Sequence, residues 1–432
     1  MSDTRAEVVL PDEALVEPTI PRGVGGPPHL FTNRPFFWLV LGTGVGGLSF
    51  WSYFGALWAD ASFSHHATPA QMAILLGAFS VPFVLLVPFQ GLLVDRWSAK
   101  WMNSWGYVLG VAAMPIAWAA SSLGLLYLSS FLIGVASAGT IPARSALTGL
   151  LVDQEHLVQA NGTVSGAAQL AIVAGPLSAG LVMRSHGTGP VYAIAALAGI
   201  VSLALFAMVP DRRQKGDRPA LGVGDLAEGF RFSWRISELR LLLVLYGTGW
   251  LLVNLLWILE PLFIRTTLHL GRDALQFMWV AHGVGAFSGA VFLSRLKRGA
   301  GRELPFIGAG MILAGAGFVL YFGAATYVSG LIGSAIGGLW FAFFCVASLA
   351  LIQRVAGDEL FGRVTSVFAV LQEGSGLAIS LLIVALGSLV AVRPSLLVTG
   401  PLLCVAGALG LMALRRLERR AASAKITGDG RG

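Results

Sequence analysis

The sequence carries little charge. Asp, Glu, Lys and Arg make up 12% of its 432 residues, whereas 56% are hydrophobic. An ordinary soluble domain has about twice that share of charged residues. The composition therefore excludes a soluble globular enzyme or binding domain and indicates a membrane protein.

Cysteine is also scarce, since the chain has two, Cys345 and Cys404. Both lie inside long apolar runs, where we expect them to pack as small side chains and where no disulfide framework can form.

The motifs of enzymes and of nucleic-acid binding proteins are missing as well. The glycine-rich stretch 42–47 lacks the strand and the lysine of a phosphate-binding loop, and no metal-ligand cluster or nucleophile constellation occurs. The net charge of +7 is spread over loops and does not form a basic patch on a soluble domain. We therefore predict no enzymatic activity, no cofactor, no metal and no nucleic-acid partner.

What the sequence does contain is apolar runs. About 20 apolar residues in a helix cross the roughly 30 Å hydrocarbon core of a bilayer. Twelve runs meet this requirement, at 36–59, 70–94, 101–121, 124–142, 160–183, 190–209, 241–264, 274–294, 304–323, 326–352, 364–388 and 394–414. The sequence thus predicts an all-α polytopic membrane protein with twelve transmembrane helices.

One long polar interruption divides these spans into six and six. The predicted organisation is a cytoplasmic N-terminal tail, a six-helix bundle, a cytoplasmic linker, a second six-helix bundle and a cytoplasmic C-terminal tail, at 1–35, 36–209, 210–240, 241–414 and 415–432. In the linker, Phe230 and Trp234 alternate with Arg231 and Arg235, a pattern that favours an amphipathic helix on the membrane surface.

The basic residues predict the orientation. If both termini are cytoplasmic, all Lys and Arg residues lie in cytoplasmic segments except Arg184, Arg265, Arg272 and Arg393. Short cytoplasmic loops are enriched in Lys and Arg, so this orientation in the plasma (inner) membrane is favoured.

The loop between spans 2 and 3 contains Gly91, Asp95, Arg96 and Lys100 in the pattern Gly-x-x-x-Asp-Arg-x-x-x-Lys. This pattern resembles the signature of the same loop in the major facilitator superfamily. The resemblance covers essentially residues 36–416 and implies two six-helix bundles. It also implies that Asp95 lies at a gate, where its carboxylate accepts hydrogen bonds from the N-terminus of a neighbouring helix.

Span 5 provides a second motif. Gly175, Pro176 and Gly180 lie in a small-x-x-x-Gly-Pro-x-x-small-Gly pattern that resembles the antiporter motif of that helix, where small residues permit close helix packing. An ordinary small-residue helix interface is the alternative. The stretches 142–144, 157–162 and 361–364 resemble the macrolide-efflux and siderophore-exporter branch.

One position departs from that pattern. Many drug and proton antiporters have an arginine in the middle of span 4, where this chain has Ser130. A coupling mechanism built on that arginine cannot be transferred to this protein.

Ionisable residues inside spans are costly and are therefore functional candidates. Glu373 and His282 lie near the predicted midplane, where they are candidates to share a proton, and a buried carboxyl group must either pair or take up a proton. Glu260 and Asp60 lie near the outer ends of spans 7 and 1, where an interface or gate role is the alternative.

Aromatic and uncharged polar residues within the spans are candidates for a substrate cavity. Packing against lipid or in the core is the alternative for each of them. The set is Trp51, Gln169, Trp250, Asn254, Trp257, Trp340, Phe341, Phe344 and Gln372.

Three functions fit these features. The first is proton-coupled efflux of an amphipathic small molecule of the drug, macrolide or siderophore type, by a monomer whose partners are the substrate, protons and the lipid bilayer. The second is a lipid, lysolipid or metabolite carrier on the same scaffold. The third is a membrane receptor without transport activity, which would need no titratable group in the cavity.

Overall fold

The computed structural model describes residues 32–86, 98–211, 223–295 and 303–428, and these ranges consist of helices and turns without a strand. Twelve α-helices occur in them. They are α1 (Arg34–Ala59), α2 (Pro69–Leu86), α3 (Ala99–Trp118), α4 (Leu123–Leu151), α5 (Leu157–His186), α6 (Gly189–Ala207), α7 (Val223–Arg235), α8 (Ser237–Thr266), α9 (Arg272–Arg295), α10 (Glu303–Ala324), α11 (Tyr327–Leu386) and α12 (Val392–Gly428).

Helix α11 contains two of the predicted spans. Its helical geometry is interrupted at Gly357, where φ is 61° and ψ is 178°, a conformation that glycine adopts far more readily than other residues. Spans 10 and 11 are therefore the two halves of α11, and α7 is the helix of the linker. The remaining helices correspond to spans 1–9 and 12, which gives the predicted twelve-helix fold.

Ten spans in the described residues are long and apolar enough to cross a membrane by length and composition. The other two, α1 and α3, contain more glycine and polar residues but pack among these ten. The described chain is therefore a multi-pass helical bundle with a first half, α1–α6, and a second half, α8–α12.

We call the end at which α1 begins the tail side and the end at which α1 finishes the far side. At the tail side, the amide of Asn33 donates to the carbonyl of Leu151, and this hydrogen bond of 2.9 Å joins the start of α1 to the end of α4. The Asn33 side chain also accepts from the backbone N–H of Phe36 and so caps α1.

Helix α7 is amphipathic and lies against the second half of α11. Arg363 pairs with Asp225 at 2.8 Å and with Glu228 at 2.7 Å, both of which lie on α7. On the face turned away from this contact, the rings of Phe230 and Trp234 stack 5.8 Å apart and are each 49% exposed. The helix thus presents an aromatic pair outward at the tail side.

Two helices, α4 and α12, continue far beyond the ends of their apolar runs. Helix α4 continues to Leu151, beyond residue 142, and α12 continues to Gly428, beyond residue 414. Neither extension contains a proline, and the Ala, Leu, Arg and Glu residues in them have high helix propensity. The length of an apolar run predicts the part of a helix that lies in the bilayer core. The helix itself can continue into water until a residue leaves the helical conformation.

Candidate functional site: a cavity between the two halves

A cavity of about 450 Å³ lies where the first half meets the second. Its walls come from α1, α2, α4, α5, α8, α9, α10 and both halves of α11. Most of the lining side chains are aromatic or aliphatic, including Phe50, Trp51, Phe54, Phe79, Trp250, Trp257, Trp279, Phe318, Tyr321, Trp340 and Phe341.

An aromatic cluster connects the halves at the far end of the cavity. The ring of Phe54 stacks on Trp58 at 4.0 Å and meets Trp257 edge-on at 5.3 Å. Trp257 in turn stacks with Trp279 at 6.3 Å and contacts Trp51 at 6.2 Å. Edge-to-face and offset rings at these distances attract one another beyond their buried area.

Beyond this cluster the far side is held closed by hydrogen bonds. The hydrogen bonds described between the two halves lie at the far end. The indole of Trp58 donates to the carbonyl of Trp257 at 3.0 Å, and the amide of Gln276 donates to the carbonyl of Gly55 at 2.9 Å. Arg265 donates to the carbonyls of Ser62 and Ala67, which belong to the turn after α1.

Glu260 lies in the cavity wall on α8 and is 8% exposed. Its carboxylate oxygens accept from the indole N–H of Trp279 and from the hydroxyl of Tyr321, both at 3.1 Å. Among the described residues no Lys or Arg pairs with it. Its charge is therefore met by neutral donors from α9 and α10.

Glu373 lies in the part of the cavity wall that the second half of α11 forms. Its Oε1 accepts from the amide of Gln372 at 3.2 Å, and the amide oxygen of Gln372 accepts from the hydroxyl of Tyr246 at 3.1 Å. One turn onward, Ser375 accepts from Asn254 at 3.1 Å. These contacts form a polar strip inside an otherwise apolar wall, and no basic residue of the described ranges belongs to it.

His282 also lines the cavity but is separate from this strip. Its ring lies 5.6 Å from that of Phe341 and interacts with the backbone of Ser334. No hydrogen bond joins it to Glu373 within the described ranges, so the structure does not bring the two predicted proton-sharing groups together.

Asp60 lies away from the cavity, at the far end of α1. It accepts hydrogen bonds from Thr188 at 3.1 Å and from Tyr192 at 3.3 Å, and both partners belong to the first half. Of the four ionisable candidates, Glu260, His282 and Glu373 share one cavity, whereas Asp60 holds α1 to α6.

Eight of the nine predicted cavity residues line this cavity; they are Trp51, Gln169, Trp250, Asn254, Trp257, Trp340, Phe341 and Gln372. Phe344 does not. Its ring is fully buried, stacks on Tyr246 at 5.0 Å and faces Gly249, where the missing side chain makes room for it. Phe344 therefore packs behind the residues that line the cavity.

The motif glycines of α5 lie at close helix contacts. A Cβ at Gly175 would lie 2.5 Å from the Cβ of Trp51, and one at Gly180 would lie 3.0 Å from the Cβ of Gln276 in the other half. Pro176 lies between them and lines the cavity. Gly175 thus permits contact between α5 and α1, and Gly180 permits contact across the halves.

The predicted gating motif is described in part. Gly91, Asp95 and Arg96 lie outside the described residues. Lys100, at the start of α3, donates to the carbonyl of Ala207 at the end of α6, at 2.8 Å. A lysine at this helix end interacts favourably with the carbonyl groups that end α6.

Ser130, which stands where many drug and proton antiporters have an arginine, is buried in α4 and donates to the carbonyl of Leu75 in α2 at 2.8 Å. It joins two helices of the first half and does not line the cavity.

Several lining residues were not predicted. Phe50 and Phe54 neighbour Trp51 on α1, and Trp279 lies one turn before His282 on α9. Helical spacing from the predicted residues would have found them. Tyr321 had no such signal, because its place beside Glu260 depends on how α10 packs against α8.

Comparison with known proteins gives the family of this chain. The profile of the Major Facilitator Superfamily matches residues 39–380. The chain belongs to the major facilitator superfamily. It is accordingly a multi-pass membrane transporter, and the macrolide-efflux branch within the superfamily remains a prediction from the sequence.

Two relatives in the superfamily differ in how far they extend along the chain. The uncharacterised MFS-type transporter YfiS of Bacillus subtilis (strain 168) is 26% identical, and the match covers 90% of this chain and 96% of YfiS. The lysophospholipid transporter LplT of Yersinia pestis (strain Pestoides F) is 28% identical, and the match covers 52% of this chain and 57% of LplT.

Solved transporter structures share the fold at low sequence identity. The nucleoside transporter NupG superposes with a TM-score of 0.69 at 12% identity, covering 88% of this chain and 99% of NupG. A POT family transporter in complex with 5-aminolevulinic acid superposes with a TM-score of 0.71 at 12% identity, covering 89% and 96%. At such identity the likeness concerns the fold alone.

Proposed function

We propose that this protein is a secondary transporter that exports amphipathic small molecules by alternating access and couples their movement to protons. One observation carries the proposal: an aromatic cavity between the two halves contains two carboxyl groups that pair with no basic residue of the described ranges. Superfamily transporters place their sites at such an interface between repeats.

The lining supports the amphipathic substrate. Ligand pockets of about 300 to 1,000 Å³ that combine aromatic walls with a few polar groups suit drug-sized molecules, and this cavity has about 450 Å³. Trp51 and Trp257 offer flat apolar faces, whereas Asn254, Gln169 and Gln372 offer hydrogen bonds that orient a ligand.

The carboxyl groups support proton coupling. A charged carboxylate inside a span is costly without a cationic partner, so the charge of Glu373 should change when water reaches it from one side or the other. A membrane receptor without transport activity would not need a titratable carboxyl group in the cavity.

A cavity closed at the far side corresponds to the loading step of the proposed export cycle. We take the tail side as cytoplasmic, because the basic residues concentrate in the segments of that side. Closure by Trp58, Gln276 and Arg265 at the far side then leaves the cavity to be loaded from the cytoplasm of the plasma membrane.

A second candidate is a lysolipid carrier on the same scaffold. The observation that favours it is the similarity to LplT, whose name gives its substrate as lysophospholipid, although only about half of each chain is matched. A single-chain lipid is itself an amphipathic molecule that an aromatic cavity accommodates.

Transport by purified protein in liposomes tests both candidates. The panel would hold a macrolide, a cationic dye, a hydroxamate siderophore and a lysophospholipid, each offered with and without an imposed pH difference. We expect at least one to accumulate against its gradient only when the pH difference is present. Lysophospholipid movement that ignores the pH difference would favour the second candidate, and no movement of any compound would reject both.

A further inference from the structure

A polar track leads from the tail side into the aromatic cavity. Arg144, Ser145 and Thr148 of α4 face Asn161, Ser165 and Gln169 of α5 across a smaller cavity of about 190 Å³. The three residues of α5 recur every fourth position and so lie on one helix face. Eight residues of helix rise about 12 Å, so the track reaches well into the bundle.

This track is continuous with the aromatic cavity. Gln169 lines both the small polar cavity and the large aromatic one. Arg144 also lines a third space of about 270 Å³, which shares Phe50, Trp51 and Ser137 with the aromatic cavity. A ligand can therefore contact Arg144 and the aromatic rings at the same time.

Among Lys and Arg, Arg144 is the one side chain of the described residues that lines any of these three cavities, and His282 lines the aromatic one. Arg144 is half-buried, and no carboxylate of the described ranges pairs with it. The two acidic residues, Glu260 and Glu373, line only the aromatic cavity. The charges are thus separated along the path, positive toward the tail side and acidic in the aromatic cavity.

An unpaired guanidinium in a cavity wall favours an anion with two oxygen atoms in one plane, because its N–H groups form a fork that matches a carboxylate or phosphate. Asn161, Ser165 and Gln169 offer further donors to the same group.

We propose that Arg144 and the polar face of α5 bind the anionic head of an amphipathic substrate, a phosphate or carboxylate, whose apolar chain occupies the aromatic cavity. The inference rests on the proposed transport function and specifies its substrate class as single-chain amphipathic anions. It adds a head-group site that lies apart from the carboxyl groups.

Binding to the purified full-length protein in nanodiscs tests this site, with fluorescence of the cavity tryptophans as the signal. Each of two probes carries one chain of sixteen carbon atoms. The anion is a lysophosphatidic acid, and the cation is the hexadecyltrimethylammonium ion. Glycerol 3-phosphate serves as the head without a chain. Arg144→Gln, Arg144→Lys and Asn161→Ala are compared with Arg231→Gln, which changes an exposed arginine on α7.

We expect Arg144→Gln to raise the Kd of the anion by about 10-fold or more, because a hydrogen bond to a charged group contributes about 1.5–3 kcal/mol. The Kd of the cation should not change. Arg144→Lys should recover only part of the anion binding, because lysine keeps the charge but lacks the fork of N–H groups. Asn161→Ala should weaken anion binding about threefold, and Arg231→Gln should have no effect. Asn161→Ala keeps the test decisive if Arg144→Gln does not fold.

Equal weakening of anion and cation, or unchanged anion binding in both Arg144→Gln and Asn161→Ala, would overturn the inference. Glycerol 3-phosphate binding as tightly as the lysophosphatidic acid would identify a free phosphate ester as the ligand and would also overturn it. If the cation binds and is transported while the anion ignores Arg144, the proposed function stands and this inference alone fails. If no amphiphile binds the wild-type protein, the proposed function fails with it.

Discussion

The indole N–H of Trp58 donates to the backbone carbonyl of Trp257 over 3.0 Å and thereby joins the first half of the chain to the second. Trp58 is fully buried and also stacks on Phe54, which lines the cavity. The same residue therefore closes the far side and supports the far end of the binding space. Opening the far side must break this hydrogen bond, so its loss should shift the balance between the two states.

Trp58→Phe should increase the population that is open at the far side. Phenylalanine keeps an aromatic ring but lacks the donor, and a buried neutral hydrogen bond contributes about 1 kcal/mol, which corresponds to about a fivefold change in population. Spin labels at His186 and Leu389 lie at the far side in opposite halves. Double electron–electron resonance would report the change as a longer distance between the two labels. The labels require Cys345→Ser and Cys404→Ser as background.

Trp105→Phe is the matched control, because Trp105 is 56% exposed on α3. A distance distribution that is the same in Trp58→Phe as in the parent would mean that this hydrogen bond does not hold the far side.

Two glycines of α5 should respond in opposite directions to alanine. Gly175→Ala places a methyl group 2.5 Å from the Cβ of Trp51, and such overpacking costs about 1–3 kcal/mol. Gly166→Ala meets nothing within 4 Å, and alanine favours the helix by up to about 1 kcal/mol. Thermal unfolding in detergent should therefore show a lower Tm for Gly175→Ala and an equal or higher Tm for Gly166→Ala. A shift of both variants in the same direction would contradict the packing described for α1 and α5.

Ser130→Ala should leave transport and its pH dependence intact. The variant loses the hydrogen bond from Ser130 to the carbonyl of Leu75, which should lower the free energy of unfolding by about 1 kcal/mol. Transport in liposomes and thermal unfolding of the same preparation separate the two effects. Loss of proton coupling in this variant would show that the span 4 position still belongs to the coupling mechanism.

The sequence is sufficient for the fold but not for all of the site. Twelve apolar runs predict twelve spans, because length and hydrophobicity decide whether a helix crosses a bilayer. Trp250, Asn254 and Trp257 recur on one helical face, and the structure places all three in the cavity wall.

Contacts between distant segments escaped that reasoning. Similar depth in spans that are neighbours in the family fold suggested that Glu373 and His282 share a proton, but the ring of His282 lies beside Phe341 and the backbone of Ser334 instead. Phe344 belongs to an aromatic segment, but its ring lies behind the wall because Gly249 leaves space there. The Glu260 contacts to Trp279 and Tyr321 require three helices to pack together, which no single periodicity encodes.

Glu373 is central to the proposed coupling. Within the described ranges its carboxylate accepts a hydrogen bond only from the neighbouring amide of Gln372, whereas two donors from other helices hold Glu260. Glu373 is therefore the carboxyl group that is freer to exchange a proton with water in the cavity. Glu260→Gln still offers an acceptor to Trp279 or Tyr321, so it should reduce transport without removing coupling.

The most direct measurement is substrate accumulation driven by a pH difference in liposomes that contain Glu373→Gln, with Glu260→Gln as the matched control. Glutamine keeps the size and the hydrogen bonding of Glu373 but cannot carry a proton. We predict that Glu373→Gln binds substrate and exchanges it downhill at rates near those of the wild-type protein but accumulates none against its gradient. Accumulation by Glu373→Gln at the wild-type level, with only the pH difference supplied, would contradict the account.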